Sequence, residues 1–214
     1  MKLARLLPLG IFSLIGSSFS LAETTVSAGW LYVPSGDLKF SGAPGIDGTE
    51  IDDGNAIFAN IRHDLSSSWN LGVEVIWYQS ETKAQPIIPE IGPIEATLEL
   101  EGWLGFVTGG FRIDQAAGWD SVLFEIGGGI GYASIENTVT ARLGPLSAKN
   151  SDTDGEVAWQ VFADLGYQFT DAFSLGAAVR YIGIGDLRWE DETRNVEAEN
   201  IHTLSFGAFA AFSF

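Results

Sequence analysis

Five ionisable side chains stand inside segments that otherwise alternate between apolar and small residues: Arg62, Glu74, Glu125, Asp164 and Arg180. Desolvated together, arginines and carboxylates form charge-assisted hydrogen bonds, bidentate where a guanidinium fork meets a carboxylate. Paired carboxylates could instead serve as general acid and base. Their commoner use is to neutralise arginines and fill an interior. Here the acids outnumber the bases, leaving some to be protonated, hydrated or bound to a cation.

Other chemistry finds little support. Cysteine is absent, which removes thiol nucleophiles, disulfides and thiolate metal sites. His202 and Ser205 are three positions apart, so a strand points them to opposite faces, and His63 has Leu65 where a same-face partner would stand. The run Gly127-Gly128-Gly129-Ile130-Gly131 lies within an alternating segment, with no helix after it to cradle a phosphate. Its glycines suit the sharp bending of a small closed sheet. Acidic stretches (Asp47, Glu50, Asp52, Asp53; Asp152, Asp154, Glu156; Glu190, Asp191, Glu192) lack the ordered ligand spacing of a calcium loop and read as a solvated surface. No catalytic residue, metal or cofactor is expected.

The elements that position the five charges are strands. Period-2 alternation predicts eight of them: residues 25–33, 56–63, 69–79, 97–111, 121–136, 157–168, 173–183 and 202–214. Several have about the ten residues that a tilted strand needs to cross a bilayer. The last alternates strictly from Leu204 and finishes on Phe214. Connections after the first, third, fifth and seventh strands are long (34–55, 80–96, 137–156, 184–201). Those at 64–68 and 169–172 are short, and 112–120 is intermediate. Long loops at one end and short turns at the other mark an all-β, eight-stranded antiparallel up-and-down transmembrane β-barrel.

Aromatics gather where such a barrel needs two girdles. Trp69, Trp119, Tyr167, Phe173 and Phe214 fall near the short turns; Tyr32, Trp77, Tyr132, Trp159 and Tyr181 fall near the long loops. The charges, out of phase with the apolar face, belong in the lumen, because a charge facing lipid is costly. Depth along each strand predicts a lower cluster of Arg62, Glu125 and Asp164 and an upper cluster of Arg180, Glu74 and Glu101. In the fourth strand Leu98, Leu100, Leu104 and Phe106 are expected toward lipid, which places Glu99, Glu101 and Trp103 inside.

Residues 1–22 carry Lys2 and Arg5, an apolar stretch and a small-x-small ending at Ser20-Leu21-Ala22, so they read as a secretory signal peptide preceding a barrel over 23–214. Without that segment, nine basic side chains face 28 acidic ones, a net charge of about −19, which argues against nucleic-acid binding.

The second half resembles the small outer-membrane β-barrel family of opacity-type and OmpA/OmpX-like proteins. The resemblance rests on Ala158-Trp159-Gln160, the run from Leu165 to Asp171, Phe173-Ser174-Leu175, Val179-Arg180-Tyr181, Gly185-Asp186-Leu187 and the terminal Phe214. Gly29 to Pro34 is similar to the first strand of OmpW-type barrels. The resemblance implies a bacterial outer-membrane barrel, usually non-enzymatic, acting in envelope integrity or surface interaction. Partners would be outer-membrane lipids and lipopolysaccharide, the barrel-assembly machinery through the C-terminal strand, and a surface or host ligand at the acidic loops. OmpW-like members are proposed to admit small hydrophobic solutes. That alternative needs an apolar lumen, against which the interior charges argue. Some eight-stranded barrels are lipid-A deacylases carrying His-x-Ser, a pattern this chain lacks.

Overall fold

The computed structural model describes residues 23–35, 40–41, 52–84, 87–88, 92–114, 121–144, 146–191, 194–198 and 201–214. The expected signal peptide and Trp119 lie outside them. Eight strands close into one barrel: β1 (Thr24–Val33), β2 (Gly54–Asp64), β3 (Trp69–Ala84), β4 (Glu95–Asp114), β5 (Val122–Leu143), β6 (Leu146–Thr170), β7 (Phe173–Ile184) and β8 (Ile201–Ser213). Each pairs antiparallel with its sequence neighbours, and β1 pairs with β8. The seam ends in reciprocal hydrogen bonds of 3.0 Å between the Thr24 and Phe214 backbones.

Alternation assigns the two faces. From β1 to β8, large apolar residues such as Val26, Ile57, Val73, Ile126, Val161, Leu175 and Leu204 are exposed on the outer wall. Their neighbours one position away point inward. At the short-turn end, the Leu65 and Ser66 amides donate to the Trp69 carbonyl (2.8 and 3.1 Å) and Ser66 Oγ accepts from the Trp69 amide (3.1 Å). Asp171 and Ala172 turn β6 into β7.

The long-loop end differs from expectation. Ser80 to Ala96 and Asn137 to Glu156 are largely paired strand rather than loop. β3 and β4 remain in register to Ala84↔Ala96, and β5 and β6 to Leu143↔Leu146. Backbone pairing continues because Thr138, Val139 and Thr140 are β-branched and the facing N–H and C=O groups within each hairpin satisfy one another, which is favourable in water as in lipid. Gly144, at φ 57°, supplies the left-handed residue at the β5–β6 tip. The seventh connection also carries a hairpin, Leu187–Asp191 with Arg194–Ala198, joined by Phe40–Ser41.

The fourth strand requires a correction. Leu98, Leu100, Leu104 and Phe106 are buried in the lumen, while Glu99, Glu101 and Trp103 are on the outside. Register sets Trp77 opposite Trp103 and Gln79 opposite Glu101, all on the outer surface. The physical reason is depth. Glu99 and Glu101 lie beyond the lipid boundary, where an outward carboxylate meets water and costs little. The inward leucines line an apolar chamber.

Candidate functional site: an ionic plug between two chambers

The outer wall shows what surrounds the barrel. Between the two aromatic levels, the described outward positions on all eight strands are uncharged and apolar, for example Ala28, Ala59, Val75, Val107, Ile130, Ala163, Ala177 and Ala208. A basic side chain there would cost about 2–4 kcal/mol at the bilayer midplane. At the long-hairpin level Tyr32 packs on Phe206 (5.3 Å), Trp77 on Trp103 (6.3 Å), and Trp159, Tyr181 and His202 cluster, with Tyr132 exposed nearby. At the short-turn level Trp69 meets Phe111 (5.0 Å) and Tyr167, Phe169, Phe173 and Phe212 follow one another, with Phe214 exposed. Trp69 and Trp77 are eight positions apart, so the levels are about 27 Å apart along the strand, or about 21 Å vertically at a 40° tilt. Trp103, Phe111, Phe169, Phe206 and Phe212 complete rings that the sequence reading populated only in part.

Inside, the charges meet at mid-height. Arg180 is fully buried and presents its fork to Glu74, with Nε donating to Oε1 (3.2 Å) and Nη2 to Oε2 (3.1 Å). Its Nη1 donates to Asp164 Oδ1 and to the Val179 carbonyl (3.0 Å). Arg62 Nη2 donates to the other Asp164 oxygen (2.6 Å), and its Nη1 lies 3.0 Å from Glu125 Oε1. Glu74 also accepts from Asn60 Nδ2 (3.1 Å) and Gln160 Nε2 (3.0 Å), and Ser27 Oγ donates to Asn60 Oδ1 (2.7 Å).

Two phenylalanines hold the arginines flat. The Arg180 guanidinium stacks between Phe58 (4.9 Å) and Phe162 (5.0 Å), and Arg62 lies over Phe162 (5.1 Å). Space for this shelf comes from missing side chains. At Gly127 a Cβ would lie 2.3 Å from the Phe162 ring, and at Gly29 2.5 Å from the Phe58 ring. The glycine run therefore also makes room for the plug.

The structure brings Arg62, Glu74, Glu125, Asp164 and Arg180 into one network, where two clusters were expected. Asp164 joins them by bonding both arginines. Glu101 is not a member. It faces outward and accepts a hydrogen bond from Trp77 Nε1 at 3.0 Å. Sequence reasoning missed Phe58, Phe162, Asn60, Gln160 and the separate Arg112–Asp64 pair (3.0 Å); aromatic and amide residues in phase with the interior charges were the available signal.

The plug divides the lumen. Toward the long hairpins lies an apolar chamber of about 70 Å³, lined by residues including Leu31, Ile76, Tyr78, Leu104, Ile135, Ile182 and Leu187. Toward the short turns lies a polar vestibule of about 230 Å³, lined by Glu23, Arg62, Arg112, Glu125, Asp164 and Gln168 among others. His202 is on the outer wall, stacked on Tyr181, while Ser205 is buried inside and donates to the Arg180 carbonyl (3.3 Å). At the outer rim, hydrogen bonds from the Tyr32 hydroxyl and the Ser35 amide (2.8 Å) hold the Asp53 carboxyl below the ordinary carboxylate range.

No protein-family model matches the chain, and no curated protein matches it. Solved structures do. The outer membrane protein OprG from Pseudomonas aeruginosa is similar at 11% identity and TM-score 0.54, over 90% of this chain and 96% of that one. Neisserial surface protein A aligns at 14% identity and TM-score 0.48, over 90% and 97% of the two chains. Ail of Yersinia pestis, in a complex with the heparin analogue sucrose octasulfate, aligns at 15% identity and TM-score 0.47, over 90% and 99%. The likeness to OprG extends over nearly the full length of both chains and concerns the backbone path alone. With the uncharged outer band and the two aromatic rings, it establishes the architecture: this chain has the fold of the small eight-stranded bacterial outer-membrane β-barrels.

Proposed function

We propose that the chain is a non-enzymatic outer-membrane barrel, exported by way of residues 1–22, that seals its own lumen. Its acidic hairpins would face outward and serve envelope integrity or surface interaction. Lipids and lipopolysaccharide would contact the apolar band, and the assembly machinery would engage β8. The observation that carries the reading is the plug. Five buried charged side chains cross the lumen at one level, and a desolvated, mutually bonded network leaves no hydrated path for ions. The test is planar-bilayer recording of the purified protein: no stable single-channel steps are expected, and steps of constant amplitude would overturn the reading.

One observation favours a second reading, capture of a small hydrophobic solute. The interior is not uniformly polar, and the chamber above the plug is walled by buried aliphatic residues. The charges that argue against an apolar conduit occupy only the middle of the lumen. Xenon, titrated into protein in nanodiscs and followed by xenon NMR, should bind in the chamber and lose affinity at least tenfold in Leu104→Trp, which fills it. Equal binding to both proteins would refute the second reading.

A further inference from the structure

β6 has a margin that β7 does not follow. Beyond Ala158 the strand keeps pairing with β5 as far as Leu146, but its ladder with β7 ends at Ile184. In an antiparallel strand, alternate residues turn their N–H and C=O groups to opposite sides. The Val157 carbonyl accepts from the Gly185 amide (3.0 Å), so the amides of Ser151, Thr153, Gly155 and Val157 all point to the β7 side. Each is taken by the side chain before it. Ser151 donates to Asn150 Oδ1 (3.1 Å), Thr153 to Asp152 Oδ1 (2.9 Å), Gly155 to Asp154 Oδ1 (2.8 Å) and Val157 to Glu156 Oε2 (3.3 Å). Glu156 also crowds the point of departure, since a Cβ on Gly185 would lie 3.4 Å from its Oε2.

The default for such a margin is more ladder, as β5 and β6 themselves show. Carrying the Ile184↔Ala158 register outward would set Leu187 opposite Gly155 and Trp189 opposite Thr153. The chain instead breaks at Gly185-Asp186 and starts a separate sheet, Leu187–Asp191 with Arg194–Ala198 and Phe40–Ser41. The break shifts the strand phase by one residue. Ala178, Arg180, Ile182 and Ile184 point inward, so an unbroken β7 would turn Leu187 outward. Leu187 is fully buried and walls the apolar chamber with Val33, Ile184 and Ile201. Short polar side chains compete with a ladder for backbone amides, and here they hold every amide the ladder would need.

We propose that Asn150, Asp152, Asp154 and Glu156 cap the β6 margin against the chain's own Leu187–Asp191 segment. Excluded from the margin, that segment is held as a lid on the apolar chamber, with Leu187 as its stopper. One segment thus has two seats, the mouth of the chamber and the edge of β6, and the caps decide between them. The lid closes the chamber whether or not a solute occupies it.

The test is NMR of the protein in nanodiscs. In the wild type, the Leu187 methyl groups should be shielded from a water-soluble gadolinium chelate. In Asp152→Ala/Asp154→Ala/Glu156→Ala, Leu187 should lose that shielding, while cross-strand contacts appear between Leu187 and Gly155 and between Trp189 and Thr153. Asp154→Ala/Glu156→Ala, a smaller change should the triple variant fail to fold, should give the Leu187–Gly155 contact alone. Asp152→Asn/Asp154→Asn/Glu156→Gln keeps the acceptors without their charge and should behave as the wild type. Alanine variants that leave Leu187 shielded would overturn the proposal, as would an amide variant that releases it. Exposure of Leu187 without the new contacts would mean fraying rather than a second seat and would overturn it equally.

Discussion

Charge counting in the plug makes a sharp prediction about which substitutions hurt. Arg180→Met keeps the length and apolar contact of the stem between Phe58 and Phe162 but removes the guanidinium. Glu74 then loses both fork bonds and keeps only its two amide donors, and Asp164 keeps only Arg62. The network passes from an excess of one negative charge to an excess of two. Breaking a buried pair by removing one partner costs about 3–5 kcal/mol, so the folding equilibrium constant should fall by about 10²- to 10⁴-fold. Glu125→Gln moves the count the other way, to neutrality, and leaves Arg62 bonded to Asp164. It should cost less than about 1 kcal/mol. Arg180→Met combined with Glu74→Gln should recover part of the loss, which a double-mutant cycle reads as coupling. The assay is reversible urea unfolding in vesicles followed by tryptophan fluorescence. If Arg180→Met cost under about 1 kcal/mol, or Glu125→Gln cost as much as Arg180→Met, the electrostatic account of the plug would be wrong.

Two further outcomes follow from geometry. Gly127→Ala places a methyl group against the Phe162 ring and should destabilise by about 1–3 kcal/mol, whereas Gly109→Ala, with no atom within 4 Å of the added carbon, should change the same urea midpoint by less than about 0.5 kcal/mol. Because Asp53 has its pKa lowered by folding, the stability it contributes is present above the ordinary carboxylate range and is lost as pH falls through its folded pKa. The Ser35 amide resonance should therefore titrate with a midpoint below about 3.9, and Asp53→Asn should remove that titration; a midpoint at or above that value contradicts the assignment.

The barrel was legible because alternation is strict wherever one face meets lipid. Val73, Val75 and Trp77 against Gly72, Glu74 and Ile76 leave one solution. β4 was read with its faces exchanged because both of its faces carry apolar residues. Burying the charges is a rule for the bilayer, and Glu99 and Glu101 stand above it. The merging of two expected clusters was out of reach for a different reason. Depth along each strand is readable, but the stagger between strands is not. It is the β5–β6–β7 register, with Glu125 opposite Asp164 and Asp164 opposite Ala178, that lets one aspartate reach both arginines. The hairpin extensions escaped notice because a strand in water needs no greasy stripe.

The β1–β8 seam has a consequence for how the molecule comes into being. Thr24 and Phe214, bonded to each other across it, are separated by almost the whole polypeptide. Until β8 arrives, the free N–H and C=O row of β1 is an open template for any passing strand. Hairpins can zip one after another, yet none of them forms a ring, and cyclisation must wait until β8 reaches β1. Such a molecule passes through a curved ribbon with two unjoined margins before it becomes a cylinder.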